Sequence, residues 1–387
     1  MDKPLVKSVN STYSQKLLQY NGYEIVQSLG AFHKVFGFDK YNYLIDINSV
    51  FSNYPRFDPV DRTGQALGPI QYAPERPWTI PHTEINLESA LQQRVKDLCA
   101  IGQPINLLWS GGIDSTAMVA AFLQYAPDIK QCKIVYSPWS TYEHPEFYQL
   151  LKNIAGLELL DTSGEFYLHM NLNGIFVSGN TSDEIHASID LSFLEAYKYD
   201  SLFTPWQDFF YKLIPNQQFI DFCQQHFQAA GRDIVTVLDA RWWFYASCKL
   251  TSILNSCNLS FFTAGSNTFD PNRLVGFFDC DCYEQFIYFN LDRIIESDNY
   301  ATWRQFLKDF VYQYDHNDTW RRNKQKFNSN QIQVYTFKKQ ILNDSRNLML
   351  LEDGKKVATP NLPFFSRLDW ENIKSQYQHV FREPCSV

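Results

Sequence analysis

Seven consecutive residues, Ser110-Gly111-Gly112-Ile113-Asp114-Ser115-Thr116, have the make-up of an anion cradle. A short apolar run, INLLW, precedes them, and a helix-forming stretch, STAMVAAFLQYA, begins within them. At a strand-to-helix junction the first backbone N–H groups of the helix lack intrahelical partners, and the helix dipole adds positive potential, so a phosphate is favoured there. Gly111 and Gly112 let the backbone approach such a group closely. The hydroxyls of Ser110, Ser115 and Thr116 are further donors. Asp114 would repel phosphate unless a divalent cation lay between them, which implies Mg²⁺. The Walker pattern G-x-x-x-x-G-K-[ST] is absent. A plain glycine turn with Asp114 capping the helix is the alternative that needs no ligand.

A second junction has the same design. In GIFVSGNTSDE, residues 174–184, an apolar run ends in Ser178-Gly179, and Asp183 and Glu184 open the next helix. Here too a simple turn, capped by Ser182 or Asp183, is the alternative.

Positioning two such loops side by side calls for a parallel sheet. LESALQQRVKDLC places Leu87, Leu91, Val95 and Leu98 on one helical face. INLLW then reads as a buried parallel strand, STAMVAAFLQYA as a helix and CKIVYS as a strand. HPEFYQLLKNIAG is a helix with Pro near its start and Gly at its end, and GLELLD and GIFVSG are further strands. This alternation predicts an α/β fold with a parallel sheet over 86–195. Residues 1–85 read as a small β-rich segment (GYEIVQSL, FHKVFGF, NYLIDI) followed by a proline-rich connector extended along the surface. Beyond about 190, LSFLEAYKYD, WQDFFYKLI, QFIDFCQQHFQAAG, VTVLDARWWFYASCKLTSIL and QFIYFNLDRIIES predict a mainly helical, substrate-side region over 196–387.

Composition narrows the classes. A chain of 387 residues with 45% hydrophobic content is globular and holds two or three domains. A net charge of -8 argues against a large nucleic-acid surface. No apolar run approaches the roughly 18 residues of a spanning helix. The opening MDKPLVKSVNSTYSQK lacks the apolar stretch of a secretory signal, so a cytoplasmic protein is expected. Aromatics, at 16%, read mainly as core. The eight cysteines show no CxxC and no zinc spacing, and Cys280 and Cys282 form a lone CxC read as two reduced thiols.

The first loop resembles the SGGxDS pyrophosphate loop (PP-loop) of the ATP pyrophosphatase superfamily, with its adenine nucleotide alpha hydrolase-like fold. Members cleave ATP between the α and β phosphates and pass AMP to an oxygen. Residues 174–184 resemble the SGEGADE motif of the asparagine synthetase C-terminal domain. The resemblance implies ATP contacts at Ser110, Gly111, Gly112, Asp114, Ser115, Thr116, Ser178 and Gly179, with Mg²⁺ held by Asp114 and Asp183. VGFFD, residues 275–279, looks like the family's VPFLD. Asp318 to Phe327 resembles its WRxKxxF with one extra residue. That makes Lys324 the candidate for the lysine that stabilises charge on the acyl-adenylate, with Lys338, Lys339, Lys355 and Lys356 as competitors.

Two departures matter. Asp2 stands where the family's glutaminase has its nucleophilic cysteine, the first cysteine is Cys99, and the leading segment is too short for that domain, so glutamine hydrolysis is not expected. Asn180 stands at the family's Glu beside the nitrogen nucleophile, and an amide cannot accept a proton there. Similar enzymes such as β-lactam synthetases and lasso-peptide cyclases close amides within one substrate. The expected function is an AMP- and pyrophosphate-forming amide ligase using ATP and Mg²⁺. Its substrates would be a small-molecule carboxylate and an amine or ammonia, with no membrane partner. Adenylation of a nucleobase carbonyl, and a nucleotide-binding scaffold without turnover, are the alternatives.

Overall fold

The computed structural model describes residues 62, 77–162, 172–180, 182–186, 199–249, 273–294, 304–324, 348–350 and 356–358. Its centre is a five-stranded, all-parallel sheet in the order β3-β2-β1-β4-β5. Chain order explains the arrangement. Helix α1 (Leu87–Ala100) leads into β1 (Ile105–Trp109), then α2 (Ile113–Tyr125), β2 (Cys132–Tyr136), α3 (Pro138–Glu143), α4 (Pro145–Lys152) and β3 (Glu158–Asp161). The chain then returns to the other side of β1 as β4 (Ile175–Ser178), followed by the short α5 (Ser182–Ile185). Strands β1, β2 and β4 run in register, with Leu107 opposite Ile134 on one side and Val177 on the other. The direction of winding therefore reverses between β1 and β4. In open α/β sheets that switch point is where a crevice forms beyond the carboxyl ends of the strands.

Burial follows position in the sheet. Every residue of β4 is buried and four of five in β1, whereas edge strand β3 exposes Glu158 and Asp161. Central parallel strands are covered on both faces and so read as unbroken apolar runs. Asn106 is the polar exception within β1: its Nδ2 donates to Asn173 O (3.0 Å) and Ile175 O (3.1 Å), pinning the start of β4. Helix α2 buries Ala117, Met118, Val119, Ala120, Ala121 and Phe122 completely, the profile of a helix covered all round. Its neighbours are α1 and α10 (Gln305–Asp315).

Helices α6 (Trp206–Leu213), α7 (Gln217–Phe227) and α8 (Val237–Phe244) bear out the helical reading there. This layer is packed with aromatic rings: Trp206, Phe210, Phe227, Trp242, Trp243 and Phe244 are all buried. The fifth strand, β5 (Leu274–Gly276), comes from beyond these helices, within the stretch read as helical, and pairs with β4. Helix α9 (Asp281–Ile294) follows it, and α11 (Asp318–Asn323) follows α10. A two-stranded antiparallel ladder joins β6 (Leu348–Leu350) to β7 (Lys356–Ala358).

The described residues of the proline-rich connector keep to the surface at Pro77, Thr79, Ile80 and His82, but two side chains anchor it inward. Arg62 is 2% exposed, and its guanidinium grips the Glu284 carboxylate at 2.5 and 3.0 Å. Trp78 packs edge-on to Trp242 and Trp243. A buried ion pair and an indole in an aromatic nest tie this segment to α8 and α9. The three β runs expected within residues 1–50 lie outside the described residues, as does most of LSFLEAYKYD.

Candidate functional site

Both Ser-Gly loops lie at the switch point. The first leaves β1 at Ser110 and enters α2 with Gly112 as its N-cap. Its shape is set by its own hydroxyls. Ser115 Oγ accepts from the Ser110 N–H (3.1 Å) and lies 2.9 Å from Ser110 Oγ, so the turn is closed across its mouth. Gly111 has φ 78, and a Cβ there would stand 2.4 Å from Ser140 O and 2.5 Å from Glu143 Cβ. Only glycine fits that pairing of a left-handed backbone with a crowded neighbour. Thr116 is fully buried, and its Oγ1 accepts from the Trp109 indole N–H at 3.0 Å, so this hydroxyl faces the core beneath the loop and not the crevice.

The second loop leaves β4 at Ser178 and lies directly against the first. A Cβ on Gly179 would meet Ser115 N at 2.8 Å and the Asp114 carbonyl carbon at 3.0 Å. The glycine therefore permits backbone-to-backbone contact with the first turn of α2. Ser178 is buried and its Oγ accepts from the Asn180 N–H at 3.2 Å, while Asn180 itself is exposed at the turn. Ser182 Oγ then donates to Asp114 Oδ1 at 2.7 Å, so the two motifs are hydrogen-bonded to each other.

Behind this bond lies a buried chain. Ser182 Oγ is 3.1 Å from His186 Nδ1, and His186 Nε2 is 2.5 Å from the Tyr283 hydroxyl. For a neutral imidazole the donors in this chain follow. A carboxylate only accepts, so Ser182 spends its single hydrogen on Asp114. Nδ1 of a neutral His186 must then donate to Ser182, which leaves Nε2 as acceptor for the Tyr283 hydroxyl. Burial, reinforced by the charge of Asp114, holds the Tyr283 phenol well above its ordinary pKa, so it remains a donor. Asp114 is thus oriented from three residues back.

The other oxygen of Asp114 is met by the guanidinium of Arg304, which is 1% exposed. Arg304 is the residue ahead of α10 and has φ 63, a left-handed conformation uncommon outside glycine. Burial lowers the Arg304 pKa from its ordinary value, and Asp114 counters that shift. Arginine nevertheless stays charged in proteins. Neither Arg304 nor His186 and Tyr283 stand out in the sequence. Only the fold brings them to Asp114.

Lys324 also arrives at this place. It caps the C-terminus of α11, is 8% exposed, and forms an ion pair with Glu143, 181 residues away in sequence. Glu143 ends α3, the helix whose Ser140 carbonyl abuts Gly111. Ser140 Oγ donates to Trp109 O at 2.7 Å and holds α3 against the end of β1. Beside the pair, His144 stacks on Trp320 (4.3 Å, 4°), with its Nε2 3.2 Å from Asp315 Oδ2. Of the competing lysines, Lys338, Lys339 and Lys355 lie outside the described residues, and Lys356 is on β7.

A magnesium ion carried with nucleotide phosphates needs only one or two protein carboxylates, its other ligands being phosphate and water oxygens. Asp114, with its side chain 20% exposed at the head of α2, fits that need. Asp183 is on α5, one residue beyond Ser182, and its side chain lies outside the described residues. Among the described residues no group of three or more His, Cys, Asp or Glu side chains could cage a metal without such a ligand. Neither protein-family profiles nor curated protein sequences give a match to the chain.

Proposed function

We propose that the paired loops bind the triphosphate of ATP and that the protein is an AMP- and pyrophosphate-forming amide ligase of the asparagine synthetase-like, PP-loop kind. One observation carries this reading: two Ser-Gly loops from adjacent parallel strands meet at the switch point, with Gly179 on the first turn of α2 and Ser182 on Asp114. A helix N-terminus, a glycine-opened loop and two cations, Arg304 and Lys324, make this the strongest anion site that the motifs support.

In the proposed reaction a substrate carboxylate oxygen attacks the α-phosphorus of ATP, and the bond to the β-phosphate oxygen breaks. The departing pyrophosphate is held by the N–H groups at the start of α2 and by the Ser110 hydroxyl. Lys324 exchanges Glu143 for a phosphate oxygen, so the pair keeps the ammonium in place until an anion arrives. Arg304 holds Asp114 fixed, and Asp114, with Asp183, would hold Mg²⁺. Bound there, the ion would neutralise charge on the phosphates. An amine then attacks the acyl carbon, the acyl–oxygen bond breaks, and AMP leaves, its phosphate taking up the amine's proton. Asn180, exposed at the rim, would face that amine as a hydrogen-bonding group and not as a base.

The test is release of pyrophosphate and AMP from ATP by the full chain, screened over a panel of carboxylates with ammonia and simple amines. Carboxylate-dependent AMP and pyrophosphate in equal amounts is the expected result. ADP and phosphate as products would overturn the reading, and ATP binding without any turnover would make the chain a nucleotide-binding scaffold.

A further inference from the structure

The CxC sequence is not used by the proposed reaction, yet its two sulfurs lie together. Cys280 Sγ and Cys282 Sγ are 3.3 Å apart at the start of α9. We infer that Cys282 and Cys280 form a reversible redox site, in which Cys282 attacks a hydroperoxide and Cys280 resolves the product as an internal disulfide.

The roles follow from the surroundings. Cys282 is partly exposed, whereas Cys280 is 6% exposed. As a thiol, Cys282 donates to the Ala90 carbonyl at 3.3 Å, a bond that ionisation gives up; in the thiolate Cys282 has no hydrogen to donate, so the hydrogen between the two sulfurs belongs to Cys280. A donor already aimed at Cys282 favours its thiolate, and the thiolate is the nucleophile. Arg94 supplies a cation: its Nε donates to Phe277 O (2.9 Å) and its Nη2 to Gly276 O (2.6 Å), fixing it over the turn that leads into the cysteines. Cys282 also occupies the first turn of a helix, where the dipole favours negative charge. The hydrogen bond from Cys280, aided by Arg94, lowers the Cys282 pKa despite burial and the opposing charge of Asp97. Burial holds Cys280 well above the ordinary range, as suits a resolving thiol.

The backbone allows closure. Cys280 immediately precedes the helix, and its carbonyl accepts the first helical bond, from the Glu284 N–H at 3.1 Å. Its side chain can therefore turn without unwinding α9. The sulfurs must approach by about 1.3 Å to reach a disulfide length near 2.05 Å. In the first step the Cys282 thiolate attacks one peroxide oxygen, the O–O bond breaks, and an alcohol (water, for hydrogen peroxide) leaves after taking a proton. The sulfenic acid formed is then attacked by Cys280 sulfur: the S–O bond breaks, and hydroxide leaves with the Cys280 proton as water. The two sulfurs together lose two electrons and the peroxide gains them.

The test uses the reduced full chain, treated with hydrogen peroxide, unfolded, alkylated and digested with trypsin. The peptide from Leu274 to Arg293 contains only these two cysteines. It should lose two hydrogens and regain both alkylation sites after dithiothreitol, while Cys99, Cys132 and Cys223 stay alkylatable. In Cys280→Ser the reaction should stop at a sulfenic acid on Cys282 that dimedone traps. In Cys282→Ser, Cys280 should remain unoxidised. Two free thiols after treatment, a disulfide only between chains, or dimedone labelling of Cys280 in place of Cys282 would each overturn the assignment.

Discussion

Replacing Gly179 with alanine tests whether the two loops touch as described. The new methyl would lie 2.8 Å from Ser115 N and 3.0 Å from both Ser115 Cα and the Asp114 carbonyl carbon. Ordinary contact begins at 3.4 Å, so the loops must part by roughly 0.4–0.6 Å. All three neighbours are backbone in the first turn of α2, so no rotamer change relieves the clash. Forced overpacking of this kind costs about 1–3 kcal/mol. The Ser182–Asp114 bond, now 2.7 Å, would lengthen towards the limit of a hydrogen bond. Misplacement by about an ångström costs on the order of a hundredfold in rate, so half of that predicts roughly tenfold slower pyrophosphate release. The control is Gly102→Ala, which has φ 71 but nothing within 4 Å of the added methyl. It should lose about 1 kcal/mol from left-handed strain and leave turnover unchanged. Urea unfolding and pyrophosphate release on both variants decide the matter. If Gly179→Ala matches wild type in both measurements, the loops are not in contact.

Asp114→Asn should slow pyrophosphate release by the equivalent of about 2–4 kcal/mol. It also leaves Arg304 buried beside a neutral partner, which should cost about 3–5 kcal/mol of stability. Adding Arg304→Met should recover stability but not turnover, and recovery of both would reduce the pair to a structural brace. Glu143→Gln should destabilise the protein by leaving the Lys324 ammonium without its carboxylate, and pyrophosphate should then raise Tm more than it does in wild type. An equal rise in both proteins would place Lys324 outside the phosphate site. His226 supplies a pH test: burial lowers its pKa from 6.5 to about 3. The unfolded chain therefore binds the extra proton first, and stability is retained above pH 6.5 and lost below it, by about 2 kcal/mol at pH 5. His144, also lowered chiefly by burial, adds a loss of the same sign. His226→Phe, between Phe222 and Phe244, should flatten the fall in urea-unfolding free energy between pH 7.5 and 5; an unchanged fall refutes the assignment.

The parallel sheet was legible because burial on both faces leaves its mark on each strand separately. INLLW, CKIVYS and GIFVSG are short apolar runs between helices, and each becomes a strand of the sheet. β5 was not legible, because three residues, Leu274 to Gly276, carry too little pattern to separate a strand from a turn. Helix α3 escaped for a related reason. Its six residues are shorter than two helical turns, and its start is specified by a Ser137/Ser140 capping box that no apolar periodicity announces. Arg62 illustrates a different limit. A proline-rich, charged segment reads as surface, and burial of that guanidinium becomes tolerable through partners distant in sequence, the Glu284 carboxylate and the Ala246 carbonyl.

At the site, local sequence specifies what the backbone must do, and tertiary packing specifies which charges meet. Gly111 and Gly179 permit close approach to α3 and to the first turn of α2, and the Ser-Gly motifs around them mark both loops in the sequence. Arg304, Glu143, His186 and Tyr283 each reach the site from another element, with no motif around them. This division bears on chemistry. A site built only from the loops would carry the negative charge of Asp114 into the path of a phosphate. The arginine ahead of α10 offsets that charge, and the lysine after α11 is paired with Glu143. Both cations stand at the ends of the last two described helices in the chain, and α10 packs on α2 itself. The proposed anion site therefore needs α10 and α11 docked. Loosening that packing should weaken phosphate binding before it unfolds the sheet.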